Sequence, residues 1–188
     1  MQTIVVLNFG EEHAKTIAEI LGKFGFRGLL RDYEIKAADI KQIPHLAGIV
    51  FSGGPQSVLE ADAEQVDPEI FTLGLPMLGI CYGMHLMVKH LGGKVVRQHE
   101  EEGTKSLAIH ESGTLFKEVP NPLGVWMGHQ DQVGELPDGF RLLASTENCP
   151  IAGAENKSSG IYLVQFHPER PETQNGSEIL EAFAHVCS

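Results

Sequence analysis

Apolar residues fall along the chain in two rhythms. Ile4 to Leu7, Gly48 to Phe51 and Met77 to Ile80 are short, continuous apolar runs, as expected of strands covered on both faces. From Glu12 to Phe24, by contrast, Ala14, Ile17, Leu21 and Phe24 recur at helical spacing, and Gly25 closes the segment. Gly28 to Arg31 reads as a further short strand. Ile35 to Ile43 is weakly helical, Pro68 to Leu73 is a short helix, and Met84 to Leu91 is an apolar helix ended by Gly92-Gly93. Strand and helix thus alternate through the first half, which predicts an α/β fold: a mostly parallel central sheet with helices on both faces.

The rhythm changes after Gly93. Lys94–Arg97, Ser106–His110, Val125–Gly128 and Phe140–Ser145 are short strand candidates separated by turns, and they predict a small antiparallel extension. The run Tyr162 to Phe166 returns to the main sheet. Ser177 can cap a last helix whose apolar face is Ile179, Leu180, Phe183 and Val186. No repeat, low-complexity tract or linker interrupts the chain, so residues 1–188 read as one domain.

Composition narrows the class. A hydrophobic content of 42% over 188 residues supports a proper core. A formal net charge of -11 argues against nucleic acid or an anionic membrane as partner. No apolar run approaches membrane-spanning length. The three cysteines, Cys81, Cys149 and Cys187, form neither a paired framework nor a zinc spacing, so a reducing, cytoplasmic setting is expected.

The candidate chemistry begins at Gly79-Ile80-Cys81-Tyr82-Gly83. A cysteine between two glycines, where a buried strand turns into a helix, is the thiol counterpart of the Gly-x-Ser-x-Gly nucleophile elbow. The following helix aims its positive end at the sulfur. Far downstream, Gln165-Phe166-His167-Pro168-Glu169 ends another apolar strand. Residues two apart on extended chain face the same side, and Pro168 keeps His167 extended. His167 and Glu169 therefore project together, giving nucleophile, base and orienter as Cys81, His167 and Glu169.

With these motifs the chain resembles the class I, triad-type glutamine amidotransferases, most closely the GMP synthetase branch. The resembling stretches also include Asn8-Phe9-Gly10, Phe51-Ser52-Gly53-Gly54-Pro55, Val125-Trp126-Met127 with His129 and Asp131, and Ser145 to Ile151. The resemblance implies a flavodoxin-like fold and attack of Cys81 on the glutamine side-chain amide. It also implies a γ-glutamyl thioester and an oxyanion hole made by the backbone N–H groups of Gly54 and Tyr82. His85, Gly128 and His129 fall where the family holds substrate. Three stretches depart from the family pattern: His85 stands for glutamine, Gly128 for serine, and Glu100-Glu101-Glu102-Gly103 for Arg-Glu-Tyr/Phe-Gly. A further change follows the triad, where Arg170 begins a stretch the family starts with valine.

These departures leave open a related amide as substrate, or a non-catalytic homologue that binds a partner. The chain carries no Gly-x-x-x-x-Gly-Lys-Ser/Thr loop and no length for a synthetase domain. No metal or cofactor is expected in it. ATP and magnesium are expected on a separate ATP pyrophosphatase-type subunit that aminates xanthosine monophosphate. Trp126, Met84 and Met87 read as core. The acidic run Glu100–Glu102 reads as a solvated face, and His13, like His45, His90, His99, His110 and His185, is assigned no role.

Overall fold

The computed structural model describes all of residues 1–188. Nine strands form one sheet in the order β2-β1-β3-β4-β9-β8-β7-β5-β6. Its parallel half is β2 (Arg27–Asp32), β1 (Thr3–Asn8), β3 (Leu46–Phe51), β4 (Met77–Ile80) and β9 (Ile161–Val164). The other half, β8 (Gly153–Asn156), β7 (Arg141–Ser145), β5 (Lys94–Ile109) and β6 (Leu123–Glu135), is antiparallel. The α/β class expected from the alternation of runs is the one observed.

Strand alternation sends residues to two cores. Ile4, Val6, Val50, Leu78, Ile80 and Val164 point to one face, where they meet α1 (Glu11–Lys23) and α4 (Gly176–Val186). Val5, Leu7, Ile49, Phe51, Met77 and Leu163 point to the other, where they meet α2 (Ala37–Ile40) and α3 (Tyr82–His90). Every one of these strand residues is buried, so the inner strands β1, β3, β4 and β9 are covered on both sides, while β2 at the edge is partly exposed. Met84 and Met87 are fully buried in the second core, as expected.

The antiparallel half differs in extent from the short candidates. Lys94–Arg97 and Ser106–Ile109 are the two ends of one 16-residue strand, β5, which pairs with the 13-residue β6 across a register shift between Arg97 and Glu101. The shift carries the acidic run across the ladder and turns Glu101 inward while Glu100 and Glu102 stay exposed. The paired β5 and β6 bring Glu101, Gly128, His129 and Asp131 to the carboxyl edge of the parallel strands.

Candidate active site

Cys81 sits between β4 and α3 with φ 50° and ψ −108°, outside the left-handed helical basin that Asn175 occupies at φ 50° and ψ 29°. Such a backbone persists only where its surroundings over-determine it. Here the Cys81 N–H donates to Val164 O at 2.9 Å and the Gly83 N–H to Ser52 O at 3.2 Å. The flanking glycines are required by contact. A β-carbon on Gly79 would lie 2.9 Å from the Met84 backbone, and one on Gly83 would overlap the Phe51 carbonyl. The thiol donates to Gly128 O at 3.7 Å.

His167 follows β9. Its N–H donates to Trp126 O at 3.0 Å. The Thr173 hydroxyl donates to His167 O at 2.7 Å and accepts the Trp126 N–H at 2.9 Å, which ties the loop to β6. His167 Nδ1 donates to Glu169 Oε1 at 2.7 Å, so the other ring nitrogen is left for the sulfur side. His167 and Cys81 flank Gly53: a β-carbon there would stand 2.6 Å from His167 Cε1 and 3.5 Å from Cys81 Cβ.

Burial disfavours a charged His167, yet the Cys81 sulfur and the Glu169 carboxylate outweigh it and raise its pKa to about 10. Burial likewise acts to raise Glu169, and hydrogen bonds from His13 and His167 overcome it and hold the carboxyl at about 2. The pair is therefore a buried imidazolium and carboxylate at neutral pH.

His13, to which the sequence pattern assigns no role, belongs here. Its Nδ1 lies 2.8 Å from Glu169 Oε1, the same oxygen that takes His167, and its ring packs 4.7 Å from the His167 ring. A lone histidine on the first helix, far from Glu169 along the chain, carries no local signal of this meeting.

The Gly53-Gly54 loop closes the site from β3. Ser52 Oγ accepts the Phe9 N–H at 3.0 Å, and Gly54 packs so tightly on the Phe9 carbonyl that no side chain fits. The Gly54 and Tyr82 amides, the latter in the first turn of α3, donate to no protein acceptor and line the cavity beside Cys81. The Tyr82 hydroxyl points away and donates to Glu64 O at 2.7 Å.

The cavity, about 360 Å³, is walled by the acidic strand. Glu101 corrects the expectation of a solvated face, because it is buried. Its carboxylate accepts the Thr146 hydroxyl at 3.0 and 3.1 Å and faces His129 Nε2 at 3.1 Å. His129 Nδ1 donates to Asp131 O at 2.9 Å, so both ring nitrogens are engaged. Asp131 is buried and held by Arg97 Nε at 3.1 Å and by the Ser57 hydroxyl.

Trp126 also departs from expectation. It is only partly buried and lines the cavity, with the Arg170 guanidinium 4.8 Å over its ring. Arg170 is the one Lys or Arg among the 18 lining residues. His85 sits on α3 one turn after Cys81, with Nε2 2.7 Å from Gln165 Oε1. Gly128 leaves open space, its nearest neighbour to an added β-carbon being Trp126 Nε1 at 3.5 Å.

Two groups, His13–His167–Glu169 and Glu101–His129–Cys149, bring ligand-type atoms within 4.8 Å of one another and could hold a metal ion. In both, hydrogen bonds between the members already engage the carboxylate and imidazole donors.

A thiol on a strained strand–helix elbow, with an imidazole and a buried carboxylate behind it at the carboxyl edge of a parallel sheet, is the layout of a cysteine-dependent acyl-transfer enzyme. The chain belongs to the class-I glutamine amidotransferase family, whose model matches residues 5–187. It is 44% identical over 187 residues to the glutamine-hydrolyzing GMP synthases of Bacillus cytotoxicus and Pediococcus pentosaceus. Those matches cover 98% of this chain and 36% of each relative, so the chain spans about a third of their length. A structure from Thermoplasma acidophilum, described as one subunit of a GMP synthase, superposes with a TM-score of 0.85 at 30% identity. That match covers all of this chain and 94% of the other. A glutamine amidotransferase from Thermotoga maritima shares the fold at a TM-score of 0.70 and 22% identity, over 89% of this chain and 76% of that one.

Proposed function

We propose that the chain hydrolyses the side-chain amide of glutamine through Cys81, His167 and Glu169 and supplies ammonia to a separate synthetase. The carrying observation is the buried His167–Glu169 ion pair set beside a thiol on an elbow. The Cys81 thiol proton passes to His167, and Sγ attacks the amide carbon. The oxyanion that forms is met by the unpaired Gly54 and Tyr82 amides. His167 gives its proton to the departing ammonia as the carbon–nitrogen bond breaks, leaving a γ-glutamyl thioester on Cys81. Water then adds to the thioester, His167 takes its proton, and glutamate leaves as the sulfur is released.

The cavity suits a zwitterion. Glu100 and Glu102 are exposed and unpaired at its rim, fit for the α-ammonium group, and Arg170 is positioned for the α-carboxylate. His85, Gly128 and His129 complete the substrate wall. The relatives are described as glutamine-hydrolyzing GMP synthases, which supports a GMP synthetase as the recipient of the ammonia. On this reading the acceptor is xanthosine monophosphate, bound with ATP and magnesium on that separate protein. All three cysteines are free and buried, which supports a reducing, cytoplasmic setting. No helix is long and apolar enough to cross a membrane.

A second reading, hydrolysis of another γ-glutamyl amide, is favoured by His85, whose Nε2 is already engaged by Gln165 at 2.7 Å and which stands where the family carries glutamine. Ammonia release measured on glutamine and on a γ-glutamyl amide panel, with and without a synthetase partner, separates the two. Preference for glutamine, rising with the synthetase present, supports the first reading. Release only from another amide replaces it.

A further inference from the structure

The geometry points to His13 as a positioning residue that divides the Glu169 carboxylate with His167 and so sets how firmly His167 holds its proton. Glu169 Oε1 is approached by two imidazole nitrogens, His167 Nδ1 in a hydrogen bond at 2.7 Å and His13 Nδ1 in a charge-pair contact at 2.8 Å, while the buried Oε2 has no partner. One oxygen thus faces both rings. An acceptor shared in this way gives each donor less than it would give one alone. The His13 ring also packs against His167 at 4.7 Å and 34°, so it fixes the ring as well as the acid behind it.

This division has a chemical purpose. A histidine held as imidazolium by an undivided buried carboxylate beside a thiolate would be a poor acid toward departing ammonia. Drawing part of the Glu169 charge to His13 weakens that hold and keeps the proton transferable. The groups facing His167 are Cys81 from the elbow, Glu169 from its own loop and His13 from α1, with Arg170 on the same cavity wall. His13 is partly exposed, its side chain at 31%, so it is open to substitution without loss of core.

The inference rests on the Cys81–His167–Glu169 reading of the site but not on glutamine as substrate. Its test is the rate of Cys81 alkylation by iodoacetamide across pH, which needs no substrate, in the full chain and in His13→Ala and His13→Gln. Cys149 and Cys187 do not compete, since burial pushes both thiols up to about 12. In His13→Ala the alkaline limb of the profile moves to higher pH by about half a unit or more, as Glu169 passes wholly to His167. In His13→Gln, whose amide N–H restores the second donor, the limb returns toward the wild-type position. Profiles that superimpose in all three proteins, a limb that moves to lower pH in His13→Ala, or a shift that glutamine does not reverse would each overturn the role. A substrate-side failure, no ammonia from glutamine with the alkylation shift intact, would leave His13 standing and remove only the glutamine reading.

Discussion

His85 Nε2 on α3 lies 2.7 Å from Gln165 Oε1, and both side chains are buried. Burial dominates the imidazole, and it holds the His85 pKa down at about 4 although the Gln165 bond opposes it. A group whose folded pKa lies below its unfolded value contributes stability above the unfolded value and loses it as pH falls. His85 is neutral in the fold, while the unfolded chain begins to bind its proton near pH 6.5. Stability should therefore fall as pH drops from about 6.5 toward 4. In His85→Gln that part of the acid loss should be absent, so thermal melting followed at pH 7 and pH 4.5 should show a smaller drop than in the wild type.

Glu169 follows the same sign as His85, and His167 the opposite. Glu169, held down at about 2, contributes stability that is present above its unfolded pKa near 4.5 and lost as pH falls toward 2. His167, raised to about 10, contributes stability that is full below 6.5 and lost as pH rises through 10. Replacing Glu169 by Gln should therefore lower melting temperature most near pH 5 to 6.5, where both contributions are full, and least above about pH 10. A melting difference that did not shrink in alkali would show that the pair is not ionised.

Arg170 lies at the cavity rim over Trp126 and is forked to Glu172 at 3.1 and 3.2 Å. If it takes the α-carboxylate, Arg170→Gln should raise KM for glutamine about tenfold, the weight of one lost charge-assisted hydrogen bond, with kcat little changed. A glutamine analogue lacking the α-carboxylate should be handled equally by both proteins.

Glu101 and His129 form a buried pair closed by Thr146 and the Asp131 carbonyl. Removing one partner leaves the other unpaired, at a typical cost of about 3–5 kcal/mol. Glu101→Ala should accordingly lower unfolding stability by that order in denaturant titration, whereas Glu100→Ala, on the exposed neighbour, should change it by less than about 0.5 kcal/mol.

The parts of this site that could be read in advance are those encoded within a few residues. Gly79-Ile80-Cys81-Tyr82-Gly83 carries its own geometry, because a strained nucleophile turn demands glycines on both sides. His167 and Glu169 carry theirs in the two-residue repeat of extended chain. What could not be read depends on distant register. Glu101 is one of three identical neighbours, and only the shift in the β5–β6 ladder decides which of them is buried. His13 is an unremarkable helix position until β1, β3, β4 and β9 align side by side and bring α1 over the His167 loop. Trp126 looks like core because tryptophan is usually buried, but it stands at the cavity edge under Arg170.

The most direct test of the central claim is the mass of the intact protein after brief incubation with glutamine and acid quench. A glutamyl adduct is expected on the wild type, mapped to Cys81 and absent in Cys81→Ala, with ammonia release lower in that variant by about three orders of magnitude or more. Ammonia release from glutamine that persisted in Cys81→Ala would contradict it.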